Sequence, residues 1–200
     1  MTAPVTTASG ILDRLRIETR SDHDAIERVL DIMKPDLSIA TYRKQLALFY
    51  GFYQPLESSL ASLADWSEFG LDFDVRCKSV LLADDLDYVG FDSPCPVPTC
   101  TILPPLNSIA AGFGCLYVLE GATLGGQLIS RHLAETLGLD GLRGARFFNC
   151  YGDRTGMMWK SFRCALAEFA TTPEVRNEVV ASAAATFRTL RCWCLTGRNK

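Results

Sequence analysis

Apolar residues recur every three or four positions along most of this chain, which is the spacing of amphipathic helices. The pattern predicts six helices separated by turns, at about residues 9–33, 38–66, 73–88, 107–138, 153–170 and 173–195. Pro55 is expected to kink or break the second helix, because proline lacks the backbone N–H that a helix interior uses. The segment 90–105 carries five prolines and is predicted to be a loop. The sequence therefore predicts an all-α fold with a single domain over residues 1–200, of which 1–8 form a flexible N-terminus.

Four residues are predicted to mark helix ends. Ser38 and Asn107 carry side chains that accept hydrogen bonds from the first free N–H groups of a helix. Gly138 suits the left-handed position that follows a helix. Pro173 suits the first helical position, where a missing N–H does no harm.

One predicted helix carries glycines where a helix interior ordinarily excludes them. The stretch 116–133, LYVLEGATLGGQLISRHL, has helical apolar spacing, yet Gly121, Gly125 and Gly126 lie in its middle. Each mid-helix glycine costs about 1 kcal/mol relative to alanine, so the three together cost roughly 3 kcal/mol. Gly114 precedes Gly121 by seven residues and Gly121 precedes Gly125 by four, so these three share one face. A face without side chains admits either a partner helix or a planar ligand.

Composition narrows the classes of function. Of the 200 residues 48% are hydrophobic and 22% are charged, as in a globular domain rather than a disordered chain. The net charge is −3 with no basic block, which argues against nucleic acid as a partner. No uninterrupted apolar run reaches the roughly 20 residues of a membrane span, and the N-terminus lacks the basic and apolar segments of a signal peptide. A cytoplasmic protein without a membrane partner is expected.

The eight cysteines follow no regular spacing. Because the cytoplasm keeps thiols reduced, we expect packing residues or free thiols rather than a disulfide framework. Cys192 and Cys194 are separated by one residue, not by two as in zinc knuckles, and no histidine is near, so a metal site there is not expected.

Histidine is scarce, and His23 is the more informative of the two. Glu27 follows it by four residues and therefore lies on the same helical face. A carboxylate there can accept a hydrogen bond from one ring nitrogen and leave the other free to bind a metal. One histidine does not build a zinc or di-iron site, but it suffices as the axial ligand of heme. Taken alone, the pair equally describes a surface contact, and His132 is expected to be solvent-exposed.

Two further residues fit a flat anionic ligand. Arg16 lies two turns before His23 on the same face, about 10 Å away along the axis, which suits a cation at the carboxylate edge of a ligand centred on that histidine. Tyr117 lies one turn before Gly121, so its hydroxyl can serve the same edge. In isolation, Arg16 is also a solvated helix charge and Tyr117 an amphipathic core residue.

Together these residues resemble a known family. A His-x-x-x-Glu pair on the first helix, followed far along the chain by LYVLEGATLGGQLISRHL, is similar to the bacterial heme oxygenases. The later segment 151–162, YGDRTGMMWKSF, resembles the branch encoded beside bacteriophytochromes. The resemblance extends from about Leu12 to Leu195. It implies a helical bundle that holds heme between the first helix and a glycine-kinked distal helix.

The resemblance also implies roles for individual residues. His23 matches the proximal iron ligand and Glu27 its hydrogen-bond partner. Arg16 matches the basic residue that pairs with a heme propionate, and Tyr117 a tyrosine that contacts the propionates. The residues that match the distal backbone beside bound oxygen are Gly121, Gly125 and Gly126. Lys160 or Arg163 is expected to supply a second propionate contact.

The activity implied is the oxidative cleavage of heme b, as both cofactor and substrate, to biliverdin IXα, carbon monoxide and ferrous iron. It requires molecular oxygen and electrons from a ferredoxin, a flavodoxin or a reductase. With Arg16 and Tyr117 both present, cleavage at the α-meso bridge is expected, and a bacteriophytochrome is the implied acceptor of the bilin. Animal-type relatives carry an aspartate after the first distal glycine, where this chain has Ala122.

Alternatives from other classes remain. A non-catalytic heme or bilin carrier would keep His23 and the pocket but lack productive proton delivery, which Ala122 favours. A thiaminase-like helical enzyme would need a cysteine or carboxylate pocket and no heme. A purely structural interaction module would not use the glycine face.

Overall fold

Seven α-helices make up the fold, and no β-strand occurs in residues 9–90 and 97–197, the part of the chain that the computed structural model describes. The helices are α1 (Ser9–Glu18), α2 (Arg20–Glu27), α3 (Ile39–Leu63), α4 (Ser79–Tyr88), α5 (Ile109–Leu137), α6 (Thr155–Phe169) and α7 (Pro173–Gly197). Short 3-10 helices lie at Trp66–Phe69, Asp74–Arg76 and Gly152–Arg154. The all-α prediction is confirmed. The predicted flexible N-terminus, 1–8, lies outside the described residues.

Helix α5 is the central element of the core, and it packs most extensively along α7. By length and mean hydropathy α5 meets the requirements of a membrane span, although no unbroken apolar run had suggested one. In this structure 67% of its most apolar stretch is buried inside the molecule. Its apolar character is therefore accounted for by its place in the core.

The first predicted helix is divided in two and ends earlier than expected, at Glu27 rather than near residue 33. The division falls at Thr19, whose side chain is buried and whose hydroxyl donates to the Leu15 carbonyl at 2.6 Å. A threonine that bonds back to the preceding turn competes with regular helical geometry. His23 consequently lies on α2, a separate helix of eight residues.

Pro55 neither breaks α3 nor ends it, because the helix continues to Leu63. Proline cannot donate to the carbonyl four residues earlier, which is that of Gly51. That carbonyl instead accepts a hydrogen bond from the Cys100 N–H at 2.8 Å. Gly51 also has no room for a side chain, since a Cβ there would overlap the Pro98 carbonyl. The proline-rich segment thus satisfies the group that Pro55 leaves free.

Two helix starts differ from the sequence prediction. Helix α4 begins at Ser79 rather than near residue 73, because the Glu57 carboxylate accepts the Lys78 N–H at 2.7 Å and the Ser79 N–H at 3.0 Å. An acidic group at this position stabilises a helix N-terminus. The N-cap of α5 is Ser108, whose hydroxyl accepts the Ala111 N–H at 3.0 Å, so the Asn107 prediction was one residue early.

Three predicted ends are confirmed. Ser38 caps α3 by accepting the Thr41 N–H at 3.1 Å. Gly138 follows α5 with a φ of 68°, and Pro173 is the first residue of α7.

Most cysteines behave as predicted. Free thiols are carried by Cys77, Cys100, Cys115, Cys150, Cys164 and Cys192. Burial raises the pKa of Cys77 and of Cys150 to about 11. Cys95 lies outside the described residues.

Candidate functional site

The glycine stripe of α5 is covered in its first half by other helices. A Cβ on Gly114 would lie 2.5 Å from the Val179 carbonyl oxygen of α7 and 2.6 Å from the Cβ of Ser182. A Cβ on Gly112 would lie 2.7 Å from the indole of Trp66. The absence of side chains here allows the helices to pack closely, which is the partner-helix alternative.

The second half of the stripe is open. A Cβ on Gly121 would meet only the indole of Trp159 at 4.0 Å, and a Cβ on Gly125 would meet nothing within 4 Å. The neighbouring side chains of Leu124 and Leu128 are 50% and 60% exposed although both are apolar. Glycine is therefore not needed here for packing within the described chain. The open backbone and the exposed leucines together form a surface suited to a flat apolar ligand.

Gly126 differs from the two open glycines. It is buried, and a Cβ there would lie closer than 3.0 Å to the Phe148 carbonyl. It is therefore required where the 145–151 segment crosses α5. Its Cα faces protein rather than the open surface.

His23 lies on α2 with about half of its side chain exposed. Its Nδ1 is 3.7 Å from Glu27 Oε2 and 3.8 Å from Asp24 Oδ1. The ring meets the edge of Phe187 of α7, with 5.6 Å between ring centroids and an interplanar angle of 80°. Two carboxylates, not one, thus compete for one ring nitrogen, and Phe187 fixes the plane of the ring. The contribution of Asp24 and Phe187 was not evident from the sequence.

Tyr117 joins the junction of α1 and α2 to α5. Its hydroxyl lies beside the Thr19 side chain, and Arg16 lies close enough to act on it electrostatically. Burial raises the pKa of the tyrosine, so its hydroxyl stays protonated at neutral pH. His23 lies one turn beyond Thr19, and Gly121 lies one turn beyond Tyr117. This contact therefore holds the His23 helix near the open glycines.

Arg16 is 71% exposed, and its Nη2 is 3.6 Å from Asp13 Oδ1 of the preceding turn. This long exposed contact leaves the guanidinium able to take another anionic partner, since such surface pairs are worth little.

Helix α6 borders the site through Trp159, a residue that sequence reasoning did not single out. Its ring lies 5.9 Å from the ring of Tyr117, and among the described residues its edge is the one group within 4 Å of a Cβ placed on Gly121. Arg163 is exposed and stacks over the indole at 6.0 Å, and Lys160 is exposed on the same helix. The two cations therefore belong to the helix that carries Trp159. The signal that could have found it is the aromatic residue beside them in MMWKSFR.

His132 is half-exposed rather than fully exposed, and its Nε2 lies 3.0 Å from the Lys34 carbonyl. It lies two turns beyond Gly125 on α5, and its ring joins the end of that helix to Lys34 in the 28–37 segment. It therefore acts as a structural contact.

A buried charge cluster lies directly behind the open glycines. The Glu120 carboxylate accepts hydrogen bonds from Arg76 Nη1, from Lys78 Nζ at 2.7 Å and from the Tyr151 hydroxyl at 2.8 Å. Glu120 is 0% exposed, Lys78 2% and Arg76 4%. Buried charges are retained only when they are paired and hydrogen-bonded. The sequence placed Glu120 on an apolar helix but gave no indication of its partners, which lie 31 to 44 residues away.

Ala122, the position of the aspartate in animal-type relatives, borders a cavity of about 10 Å³. Lys78, Tyr53 and Thr123 line it as well. This volume is close to the minimum for one water molecule. Lys78 and Tyr53 of other elements therefore reach the cavity beside the position at which this chain has no acidic group.

The described residues fit heme. The open stretch at Gly121 and Gly125 presents bare backbone, and nothing in the described chain covers it. A half-exposed histidine, an exposed arginine and a half-buried tyrosine are the kinds of group that could serve as an axial ligand and as partners for carboxylates.

Comparison with known proteins gives one consistent result. A family model described as heme oxygenase matches residues 9–195. The chain is 30% identical over 145 residues to the heme oxygenase of Xanthomonas campestris pv. campestris (strain 8004), and the match covers 72% of this chain and 81% of that relative.

Solved structures agree on the fold. The heme oxygenase from Neisseria meningitidis, solved with NO and CO bound, superposes with a TM-score of 0.80 at 22% identity over 94% of this chain and 92% of that chain. The enzyme from Synechocystis sp. PCC6803 in complex with heme gives a TM-score of 0.71 at 18% identity over 93% of this chain and 91% of that chain. At these identities the structures show a common fold. Because the family model and the curated relative both span most of the sequence, this chain belongs to the heme oxygenase family.

Proposed function

We propose that this protein cleaves heme at the α-meso bridge to biliverdin IXα, carbon monoxide and ferrous iron. The observation that carries the proposal is the uncovered glycine backbone at Gly121 and Gly125, one turn beyond the contact that joins α5 to the His23 helix. Stability alone does not explain these glycines, because each costs about 1 kcal/mol relative to alanine and neither is needed for packing. A ligand that requires close approach to the backbone gives them a use.

When bound, heme supplies the redox chemistry and the iron that binds oxygen. The protein binds and orients the heme. His23 would bind the iron, and Glu27, whose Oε2 lies 3.7 Å from the His23 Nδ1, would accept the hydrogen bond that orients the ring, with Phe187 fixing the ring plane. Gly121 and Gly125 would bring bare backbone against the heme and keep side chains away from it.

The proposed regiochemistry depends on the cations and hydroxyl at the edge of the site. Arg16 and the Tyr117 hydroxyl lie together at the junction of α1 and α2, where one propionate is proposed to bind. Lys160 and Arg163 of α6 are proposed to hold the second. Binding both carboxylates fixes the rotation of the ring in its pocket, and that rotation decides which meso carbon faces the open glycine segment.

Proton delivery is proposed to use the cavity beside Ala122 in place of a carboxylate. Lys78 Nζ donates to the Arg76 carbonyl at 2.9 Å and to Glu120, which uses two of its three protons. The Lys78 side chain also lines the cavity. A water held there has a charged donor beside it.

The experiment that tests the proposal is product analysis. The protein is loaded with hemin and supplied with an electron donor and air, and the products are separated by chromatography. We expect loss of the Soret band and biliverdin IXα as the main isomer. A β or δ isomer would contradict the placement of the propionates at Arg16 and Tyr117. A Soret band that persists without bilin absorbance would instead establish a heme or bilin carrier, the alternative that Ala122 favours.

The setting proposed is the cytoplasm, with a ferredoxin, a flavodoxin or a reductase as electron donor. Supply of the bilin to a bacteriophytochrome is proposed from the resemblance of residues 151–162 to that branch of the family. Incubation of the reaction mixture with an apo-bacteriophytochrome tests this step, and assembly of a photoconvertible holoprotein is the expected result.

A further inference from the structure

We propose that Glu120 is the positioning residue of the open glycine segment, fixing where α5 presents Gly121 and Gly125 to the ligand. This rests on the proposed function, since it assigns a device to the same site. Glu120 precedes Gly121 directly, and its carboxylate is held by three donors from outside α5. The open face of α5 has no side chains at Gly121 and Gly125 that could fix the position of the helix. Contacts on the other faces of α5 must therefore fix it.

The three donors tie α5 to separate parts of the fold. Arg76 ends the second 3-10 helix and Lys78 directly precedes α4, while Tyr151 precedes the third 3-10 helix, which leads into α6. Arg76 extends the connection to α6 itself, because its Nη2 donates to the Ser161 hydroxyl at 3.0 Å. Charge-assisted hydrogen bonds of this kind are short and directional. Movement of the glycine segment would therefore break several of them together.

A second contact holds the segment on its other side. The Phe148 carbonyl lies against the Cα of Gly126, and Tyr151 follows it by three residues. The 145–151 segment thus contacts α5 before and after the open glycines, once through the Tyr151 hydroxyl and once through the Phe148 backbone. The open face lies between these two contacts.

The charges of the cluster balance. Arg76 and Lys78 carry two positive charges, Glu120 carries one negative charge, and the Glu57 carboxylate that caps α4 supplies the second. Removing any one of these charges would leave a buried charge of the opposite sign unpaired and disturb folding. Removing the Tyr151 hydroxyl leaves every charge in place and deletes one contact to Glu120.

The experiment compares Tyr151→Phe with Tyr42→Phe. Both tyrosines are buried and each donates one hydrogen bond, Tyr42 to the Gly144 carbonyl at 2.6 Å, away from the cluster. Amide hydrogen exchange of the apoprotein is measured over residues 116–130 and, for reference, over 179–190. We expect Tyr151→Phe to raise exchange about tenfold over 116–130 relative to 179–190, because a lost bond to a charged group favours local opening. Tyr42→Phe removes a bond at the edge of the 145–151 segment but no contact to Glu120, so it should raise that ratio clearly less than Tyr151→Phe.

A spectroscopic measurement separates positioning from stability. After hemin loading, the pH midpoint of the change in the ferric spectrum reports the surroundings of the iron on the glycine side. We expect this midpoint to shift in Tyr151→Phe and to match the wild type in Tyr42→Phe, with hemin bound by both. Equal exchange ratios in the two variants, or an unshifted midpoint in both, would overturn the role of Glu120. Failure of the wild type to bind hemin would instead reject the proposed function, while the exchange comparison would still test the cluster.

Discussion

The two halves of α5 use the same residue type for opposite purposes. In the first half, Gly112 and Gly114 lie under other side chains and backbone, and an added Cβ would approach Trp66 or Val179 to less than 3.0 Å. In the second half, Gly121 and Gly125 face space that nothing in the described chain fills. Spacing along the helix does not distinguish the halves, since Gly114, Gly121 and Gly125 follow one stripe. The neighbouring elements do, because α7 lies against one part of the stripe and leaves the other uncovered.

This comparison teaches that a glycine stripe identifies a close approach but not the approaching group. Partner helix and planar ligand were alternatives for the whole stripe, and α7 occupies only one part of it. A glycine at which an added Cβ would clash with nothing indicates a ligand better than a glycine that is covered by another helix. Gly126 is the opposite case. The Phe148 carbonyl leaves no room for a side chain there, so the glycine at this position is explained without a ligand.

The largest expected effect is in the covered half. Gly114→Ala places a methyl group against the backbone of α7, which cannot move as a flexible side chain would. Overpacking of this kind costs about 1–3 kcal/mol, and we expect the upper end, about 3 kcal/mol, in the free energy of unfolding measured with urea. Gly126→Ala should behave alike, because its obstacle is also backbone. Wild-type stability in Gly114→Ala would show that α7 does not pack there as described.

The second largest effect concerns ligand binding rather than folding. His23→Ala should weaken hemin binding on the order of 100-fold, about 2.7 kcal/mol, in a spectrophotometric titration, because the axial ligand is lost. The matched control is His132→Ala, the other histidine of the chain, which contacts the Lys34 carbonyl. It should bind hemin as the wild type does. Added imidazole should restore the spectrum of His23→Ala, and equal affinities in the two variants would contradict the assignment.

How far the sequence predicts this molecule depends on whether the determining contact is local. The Ser38 cap and the Pro173 start depend on neighbours within one turn, and both were predicted correctly. The start of α4 depends on Glu57, and the continuation of α3 through Pro55 depends on the Cys100 N–H, both distant in sequence. For that reason the predicted start of α4 was wrong, and Pro55 does not break α3.

In the candidate site, too, the local contacts were predictable from the sequence and the distant ones were not. The pairing of His23 with Glu27 follows from helical spacing, and the two side chains lie 3.7 Å apart. Trp159, Phe187 and the cluster around Glu120 come from other helices and left no periodic signal. An acidic residue on the buried face of an otherwise apolar helix was the one available sign, since such a charge requires buried partners.

A smaller effect is expected where the 145–151 segment is fixed against α5. Asp85 is fully buried and accepts the N–H groups of Arg146 at 2.9 Å and Phe147 at 2.8 Å. Asp85→Asn replaces one acceptor with a donor, so one N–H loses its partner, at a cost of about 1–3 kcal/mol in unfolding free energy. The variant should remain folded, and its lower free energy of unfolding should be measurable by the same urea denaturation.

The difference in unfolding free energy between the wild type and Asp85→Asn should change with pH in one direction. Burial raises the pKa of the Asp85 carboxyl above its usual range, although its two backbone hydrogen bonds oppose that shift. A raised folded-state pKa means that the folded protein binds the proton more tightly, so this stability is present at low pH and lost as pH rises through the folded pKa. The free energy of unfolding of the wild type minus that of Asp85→Asn should therefore fall with rising pH. A difference that grows with pH would contradict it.

The smallest effect on stability, and of opposite sign, is expected in the open half. Gly121→Ala and Gly125→Ala meet no clash, so each should raise the free energy of unfolding of the apoprotein by up to about 1 kcal/mol through helix propensity. The same methyl groups occupy the surface proposed for the ligand, so hemin turnover should fall while the fold becomes more stable. Gly114→Ala supplies the opposite pattern, a loss of stability with no methyl group on that surface. Destabilisation by Gly121→Ala would mean that the second half of the stripe is covered as well, and the contrast between the halves of α5 would not hold.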